Sequence, residues 1–156
     1  MKRFGFTAIA LTFLLAPVGA QSGEPRLTVA DVEKVSGLTG IQLVAPGSVA
    51  GAGAGLNFAT ASKKMIVMVH SGPAALYQRA KDQKTYAGVP MPLFHANVAG
   101  IGDEAFDSPP GPLQYVLYVR KGTTALSFTA YYVSANKATL TIEQLKQLAK
   151  IAVSRM

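Results

Sequence analysis

The chain has 156 residues, with 15 Lys plus Arg against 8 Asp plus Glu, a formal net charge of +7, and neither cysteine nor tryptophan. Its length suits one domain of ordinary size, and 49% apolar against 15% charged residues excludes a disordered polyelectrolyte and a coiled coil. Lack of cysteine removes disulfides, thiolate zinc sites, iron–sulfur clusters and cysteine nucleophiles.

Lys2 and Arg3 precede an apolar run from Phe4 to Ala16, long enough for a signal-peptide core and too short to span a bilayer. Pro17 and the small residues Val18-Gly19-Ala20 then predict cleavage before Gln21. No cysteine follows the run, so lipoprotein processing is excluded. Residues 1–20 are thus expected to be a cleavable signal peptide, 21–27 a flexible leader, and 28–156 one folded domain of a periplasmic or secreted bacterial protein. Without Lys2 and Arg3 the net charge falls from +7 to about +5. The remaining basic residues are scattered, as on solvated faces, rather than gathered in a phosphate-tracking stripe, and no nucleic-acid partner is expected.

Thr28 is placed to cap a helix with Asp31 in its first turn, Val29, Val32 and Val35 on one face, and Gly37 at its end. Ile41 to Val44 reads as a short strand, and the glycine-rich stretch from Pro46 to Gly55 as a flexible connection. That stretch is no phosphate cradle, because the dinucleotide fingerprint lacks its third glycine and no Gly-Lys-Ser/Thr ending occurs. Leu56 to Ala61 and Lys64 to His70 suit two strands joined at Ser62-Lys63, the second central and buried on both faces. Ser71-Gly72-Pro73 looks like a cap and first-turn proline for a helix from Ala74 to Lys84, with Leu76 and Ala80 inward and Tyr77 flanking.

Thr85 to Ala96 is an apolar loop interrupted by Gly88, Pro90 and Pro92. It is either a flap over the core or an extended recognition segment built on Val89, Met91, Leu93 and Phe94. Val98 to Phe106 is a glycine-pivoted turn entering a strand, followed by a proline-rich turn from Asp107 to Pro112. A two-residue turn at Lys121-Gly122 between Leu113–Arg120 and Thr123–Val133 opposes Leu117 to Leu126, Tyr115 to Phe128 and Leu113 to Ala130 on one face. Gln114, Val116, Tyr118, Ala125, Ser127, Thr129 and Tyr131 then share the other. Thr141 and Gln144 form a capping box for a closing helix whose apolar stripe runs Ile142, Leu145, Leu148, Ala149, Ala152 and Met156, with Arg155 suiting the dipole at its end. The order implies an α+β fold, a largely antiparallel sheet packed by about three helices.

Chemistry-bearing residues are sparse. His70 and His95, the two histidines, show neither HxxxH nor His-x-Glu spacing, so no metal ligands or cofactor are expected. No Gly-x-Ser-x-Gly elbow marks a nucleophile. Asp103, Glu104 and Asp107 form the densest acidic cluster and read as a solvated turn, since neighbours on a strand point to opposite faces. Tyr118 and Tyr131 are outward aromatics able to hold a ligand or to pack under a helix.

The segments from Val98 to Phe106, Leu117 to Gly122 and Leu145 to Met156 resemble small exported bacterial domains of unknown function. In those, a Gly-[Ile/Leu]-Gly-Asp-x-Ala turn precedes a hairpin with a Lys-Gly tip and a closing helix. Some of them are similar to the PsbP-type α/β/α sandwich. Members often carry a lipoprotein or paired cysteine, which this chain lacks. The resemblance implies no catalytic residue. The expected function is a non-enzymatic binding or accessory module for an envelope partner or a small apolar ligand, through Val89 to Phe94 or the open sheet face. The competing expectation is an envelope hydrolase with His70 or His95 as base.

Overall fold

The computed structural model describes residues 26–51, 53–86, 89–90, 92–108, 114–134 and 137–156. The expected signal peptide, most of the leader, Met91 and the proline-rich turn from 109 onward lie outside the described residues. Among the described residues three helices pack on an antiparallel sheet, the α+β architecture expected. The elements are α1 (Val29–Ser36), β1 (Ile41–Val44), β2 (Leu56–Thr60), β3 (Met65–Pro73), α2 (Ala75–Asp82), β4 (Thr85–Tyr86), β5 (Val89–Pro90), β6 (Ala96–Asn97), β7 (Glu104–Asp107), β8 (Gln114–Lys121), β9 (Thr124–Ser134), β10 (Lys137–Ala138) and α3 (Ile142–Ser154). The main sheet runs β1-β2-β3-β9-β8-β7-β6, with β10 pairing the far end of β9, while β4 and β5 form a separate small hairpin. No helix among the described residues is long and apolar enough to cross a membrane.

The two faces are covered unequally. On one, α1 and α3 bury Val32, Leu145, Leu148, Ala149 and Ala152 against Phe58, Val67, Val69, Leu117, Val119, Leu126 and Phe128. On the other, α2 packs Tyr77 and Ala80 against Phe106 and Ala125, flanked by Leu76, Leu93, Phe94 and Tyr118. Both outer helices begin with reciprocal caps. Thr28 accepts from the Asp31 N–H while Asp31 accepts from the Thr28 N–H, and Thr141 and Gln144 repeat the arrangement. Gly37 closes α1 with φ 72°.

Four expectations need correction. Ser71-Gly72-Pro73 does not start α2. It continues β3, because β9 is 11 residues long and supplies partners Leu126, Ala125 and Thr124. Ala74 occupies the cap position and makes no side-chain cap bond. Tyr77 is not flanking but 1% exposed, deep beneath α2. The β8–β9 turn is Gly122-Thr123 rather than Lys121-Gly122, so Leu117 faces Phe128, Val119 faces Leu126 and Tyr118 faces Ser127. Gly122 has φ 55°, while Thr123 is not among the residues of positive φ; glycine therefore takes the first turn position, as a II′-type hairpin requires. A shift of two leaves each side chain on its expected face.

The fourth correction concerns the chain ends. Met156 lies beyond the last helical turn and is 40% exposed instead of lining the stripe. Arg155 leaves its own helix to grip the start of α1: its guanidinium donates to both Asp31 oxygens at 2.6 and 2.8 Å and to the Arg26 carbonyl at 2.7 Å. Leu27, assigned to the leader, is accordingly buried.

The Asp31 carboxyl is held well below the usual carboxylate range, chiefly by the Arg155 hydrogen bonds and then, against desolvation, by the Thr28 backbone and hydroxyl. A depressed folded-state value means that this stabilisation is complete above the unfolded value near 3.8 and is lost as pH falls through the folded one. Asp31→Asn is expected to cost about 1 kcal/mol at pH 7, screening having weakened the exposed guanidinium's share, and to flatten the stability loss below about pH 5. Urea unfolding at pH 7 and pH 3 reads both; equal slopes in the two proteins would contradict the assignment.

Gly102 has φ 61°, and a Cβ there would meet the Arg120 carbonyl oxygen at 2.5 Å. Gly102→Ala is therefore expected to destabilise by ~1–3 kcal/mol, measured as a lower urea midpoint at unchanged m.

Candidate functional site

Cross-strand register builds a row of side chains across the sheet face under α2. His70 of β3 lies opposite Ser127 of β9, Ser127 opposite Tyr118 of β8, and Tyr118 opposite Phe106 of β7. Tyr118 stacks on Phe106 with centroids 4.7 Å apart. The next row, toward the hairpin tip, holds Gly72, Ala125, Arg120 and Glu104 in the same order. Gly72 and Ala125 let α2 come close, and a Cβ on Gly72 would sit 2.5 Å from Leu76 Cδ1. Ser127 is the small residue between two rings, so the sheet surface drops there. The result is a half-open pocket of about 300 Å³ lined by His70, Leu76, Tyr77, Tyr118, Ala125 and Ser127, with the Leu126 backbone strand beneath. That volume is at the lower end of ligand pockets, ~300–1,000 Å³.

The polar groups of the pocket are few and ordered. His70 Nδ1 lies 3.1 Å from the Ala54 carbonyl oxygen. A carbonyl only accepts, so Nδ1 carries the hydrogen, and Nε2 of the neutral ring is an acceptor. Nε2 lies on the side of Gly72 and Leu76, 3.8 Å from where a Gly72 Cβ would stand. Ser127 Oγ bonds to none of the described residues. The Tyr77 hydroxyl is sealed in the wall without a hydrogen-bond partner among the described residues. Desolvation first, and then the Glu104 carboxylate, push its ionisation up to about 12, so it stays a neutral phenol. Desolvation raises Tyr118 as well.

Charges near the site are already paired. Arg120 donates to Glu104 at 3.0 Å and lies 3.8 Å from Asp103, and Lys81 of α2 lies 3.8 Å from Glu104. Asp103 also accepts from the Gly122 N–H at 2.7 Å, which holds its carboxyl below the ordinary value. The Gly-x-Gly-Asp turn and the Lys-Gly tip thus meet at Asp103, which accepts from the Gly122 N–H and from Lys121 Nζ, the latter at 3.4 Å. Asp107 accepts from the Ala96 N–H and the Tyr115 hydroxyl. The acidic cluster is therefore spent on turns and edges.

The other sequence candidates disperse. Leu93 and Phe94 are half-buried, Phe94 lying 5.7 Å from Phe106, so they cap the second core. Val89 contributes backbone pairing to β5. Tyr131 faces the glycine-rich connection, donating to the Gly51 carbonyl at 2.6 Å. That connection is not free: buried Asn57 binds Gly53 N–H, Gly53 C=O and Gly55 C=O. His95 sits at the opposite edge of the sheet, 58% exposed and 3.3 Å from Asp107 Oδ1. Four strand steps, about 19 Å, separate it from His70. The two histidines cannot share a site. No group of three or more His, Asp or Glu able to hold a metal occurs among the described residues.

Three residues central to this arrangement escape the sequence reading. Tyr77 was hidden by its helix-face assignment, Ser127 by the turn placement, and Asn57 by an alternation that looked polar-out. A polar residue inside the strand Leu56–Thr60 is the one signal that pointed to Asn57.

Comparison of the chain with protein-family models, curated proteins and solved structures finds no match.

Tyr77→Phe removes a buried unsatisfied group and is expected to leave stability unchanged or higher by up to about 1 kcal/mol. A loss above that size in urea unfolding would mean that the hydroxyl has a partner.

Proposed function

We propose that this chain is an exported, non-enzymatic binding module that holds a small apolar ligand in the pocket beneath α2. The observation that carries the reading is the recess at Ser127: an apolar and aromatic lining with few convergent polar groups, open on one side. Pairing of the neighbouring charges favours an uncharged occupant. Packing of Leu93 and Phe94 into the core draws the proposal away from the Val89–Phe94 segment and toward the sheet face. Export rests on the sequence of residues 1–20, and the likeness to PsbP-type domains belongs to the same proposal.

Naphthalene is a suitable probe. Calorimetry is expected to give saturable 1:1 binding with a dissociation constant on the order of 10–100 μM, the range that a ligand of this size reaches. Ser127→Phe fills the recess with a good strand former and is expected to abolish binding without lowering the melting temperature. Undiminished binding by that variant would locate the ligand elsewhere.

One observation favours a second reading, an acyl hydrolase: Ser127 lies directly opposite His70, whose Nε2 would take the hydroxyl proton while Nδ1–H is oriented by Ala54. Fluorophosphonate labelling decides between them. Adduct on Ser127, absent in Ser127→Ala and reduced in His70→Gln, would establish the hydrolase, and an unlabelled protein that binds naphthalene the module.

A further inference from the structure

We infer that the ligand class of this pocket is an uncharged, flat phenol of about two fused rings whose hydroxyl donates to His70 Nε2. The inference rests on the pocket being a ligand site, as proposed above, and goes on to name what it selects. Size comes first. At about 300 Å³ the recess is roughly twice the ~150 Å³ cavity that accepts benzene, which corresponds to two rings. Shape follows from the walls: Tyr118, Tyr77 and Leu76 offer ring and aliphatic surface, and Ala125 and Ser127 a low floor.

Polarity follows from His70. With Nδ1–H committed to the Ala54 carbonyl, Nε2 of the neutral ring is an acceptor on the side of Gly72 and Leu76. A ligand hydroxyl satisfies it, whereas a carbonyl or ether oxygen would set lone pair against lone pair. Ser127 Oγ, beside it in the same row, can then donate to the oxygen of that hydroxyl. Charge is excluded on two sides. Arg120 and Lys81 are held by Asp103 and Glu104, so neither is spare for a carboxylate. Nor does any carboxylate among the described residues line the recess to receive an amine.

The test titrates the full chain with 2-naphthol, naphthalene and 2-naphthoate. Absence of tryptophan allows naphthol emission to be read without indole background. For the native sequence 2-naphthol is expected to bind about tenfold tighter than naphthalene, and 2-naphthoate more weakly than 2-naphthol. His70→Leu should erase the naphthol advantage, the ratio of naphthol to naphthalene affinity falling from about ten to about one. A second measurement needs no variant of His70. The chain has two histidines, so His95→Gln leaves one imidazole, and its Nε2 nitrogen resonance should move with 2-naphthol and stay with naphthalene. Equal affinity for naphthol and naphthalene, an advantage that survives His70→Leu, an unmoved Nε2 resonance, or tighter binding of naphthoate would overturn the phenol assignment while leaving an apolar pocket. Failure of all three probes to bind would remove the pocket reading itself.

Discussion

The sheet has two faces to bury and too little helix to bury them equally. On the α1/α3 side, helices of 8 and 13 residues lie together over the central strands. On the other side α2 has 8 residues, about 12 Å of helix, against a sheet whose seven-strand path spans about 29 Å. Unpaired backbone is no difficulty, since the ladders satisfy it, but apolar strand surface left in water is costly. The chain closes the deficit with non-helical segments. The Asn57-buttressed connection covers Met68 and Tyr131 at one end, and Leu93 with Phe94 covers Phe106 at the other. The pocket is where neither segment reaches and the sheet's own residue is as small as serine.

Placement of α2 depends on more than its own sequence. It makes no side-chain cap, and the continuation of β3 through Pro73 sets its starting point, because the Ala74 N–H is bonded to the Thr123 carbonyl. Lys81 then meets Glu104 and lies about 6 Å over the Tyr77 and Phe94 rings. Exposed pairs of this kind contribute little stability. Their effect is to orient: Arg120, Glu104, Asp103 and the hairpin tip form one chain of contacts that ties α2 to β7 and β8. Gly102 has to be glycine for β7 to approach β8 closely enough to join it.

Much of this was legible from local rules. Both capped helices, the β1, β2 and β3 strands, the α+β class and the two-faced parity of β8 and β9 follow from capping residues and periodicity, which are properties of a few neighbours. What was not legible depends on distant partners. Ser71 and Pro73 look like a helix start until an eleven-residue β9 offers them a ladder. Lys121-Gly122 is a reasonable turn until the Asp103 carboxylate claims the Gly122 N–H and the positive φ falls on the first turn residue. Parity survives a two-residue slip, so the core was assigned correctly while the site was not. In the expected register Tyr118 would face Ala125; in the observed one it faces Ser127, which places the serine between Tyr118 and His70. A cavity is a property of register, and the register read from the sequence was two residues away from the one the chain adopts.

The same dependence on distance governs the chemistry of His70. Its ring could present either nitrogen as acceptor, and the choice is made by the Ala54 carbonyl, sixteen residues away in the glycine-rich connection. That carbonyl is in place because its neighbours Gly53 and Gly55 are both held by one buried amide, Asn57. Gly55 in turn packs so tightly on the Val69 carbonyl that a Cβ would collide with it, which brings the connection down against β3 one residue before His70. A stretch that looks like a spacer therefore acts as the partner that sets a tautomer. The direction of hydrogen bonding in the pocket is thereby decided by an asparagine on β2, outside the pocket and with no part in its lining. With the charges near the recess paired among themselves, that single orientation carries most of the polarity the site can offer.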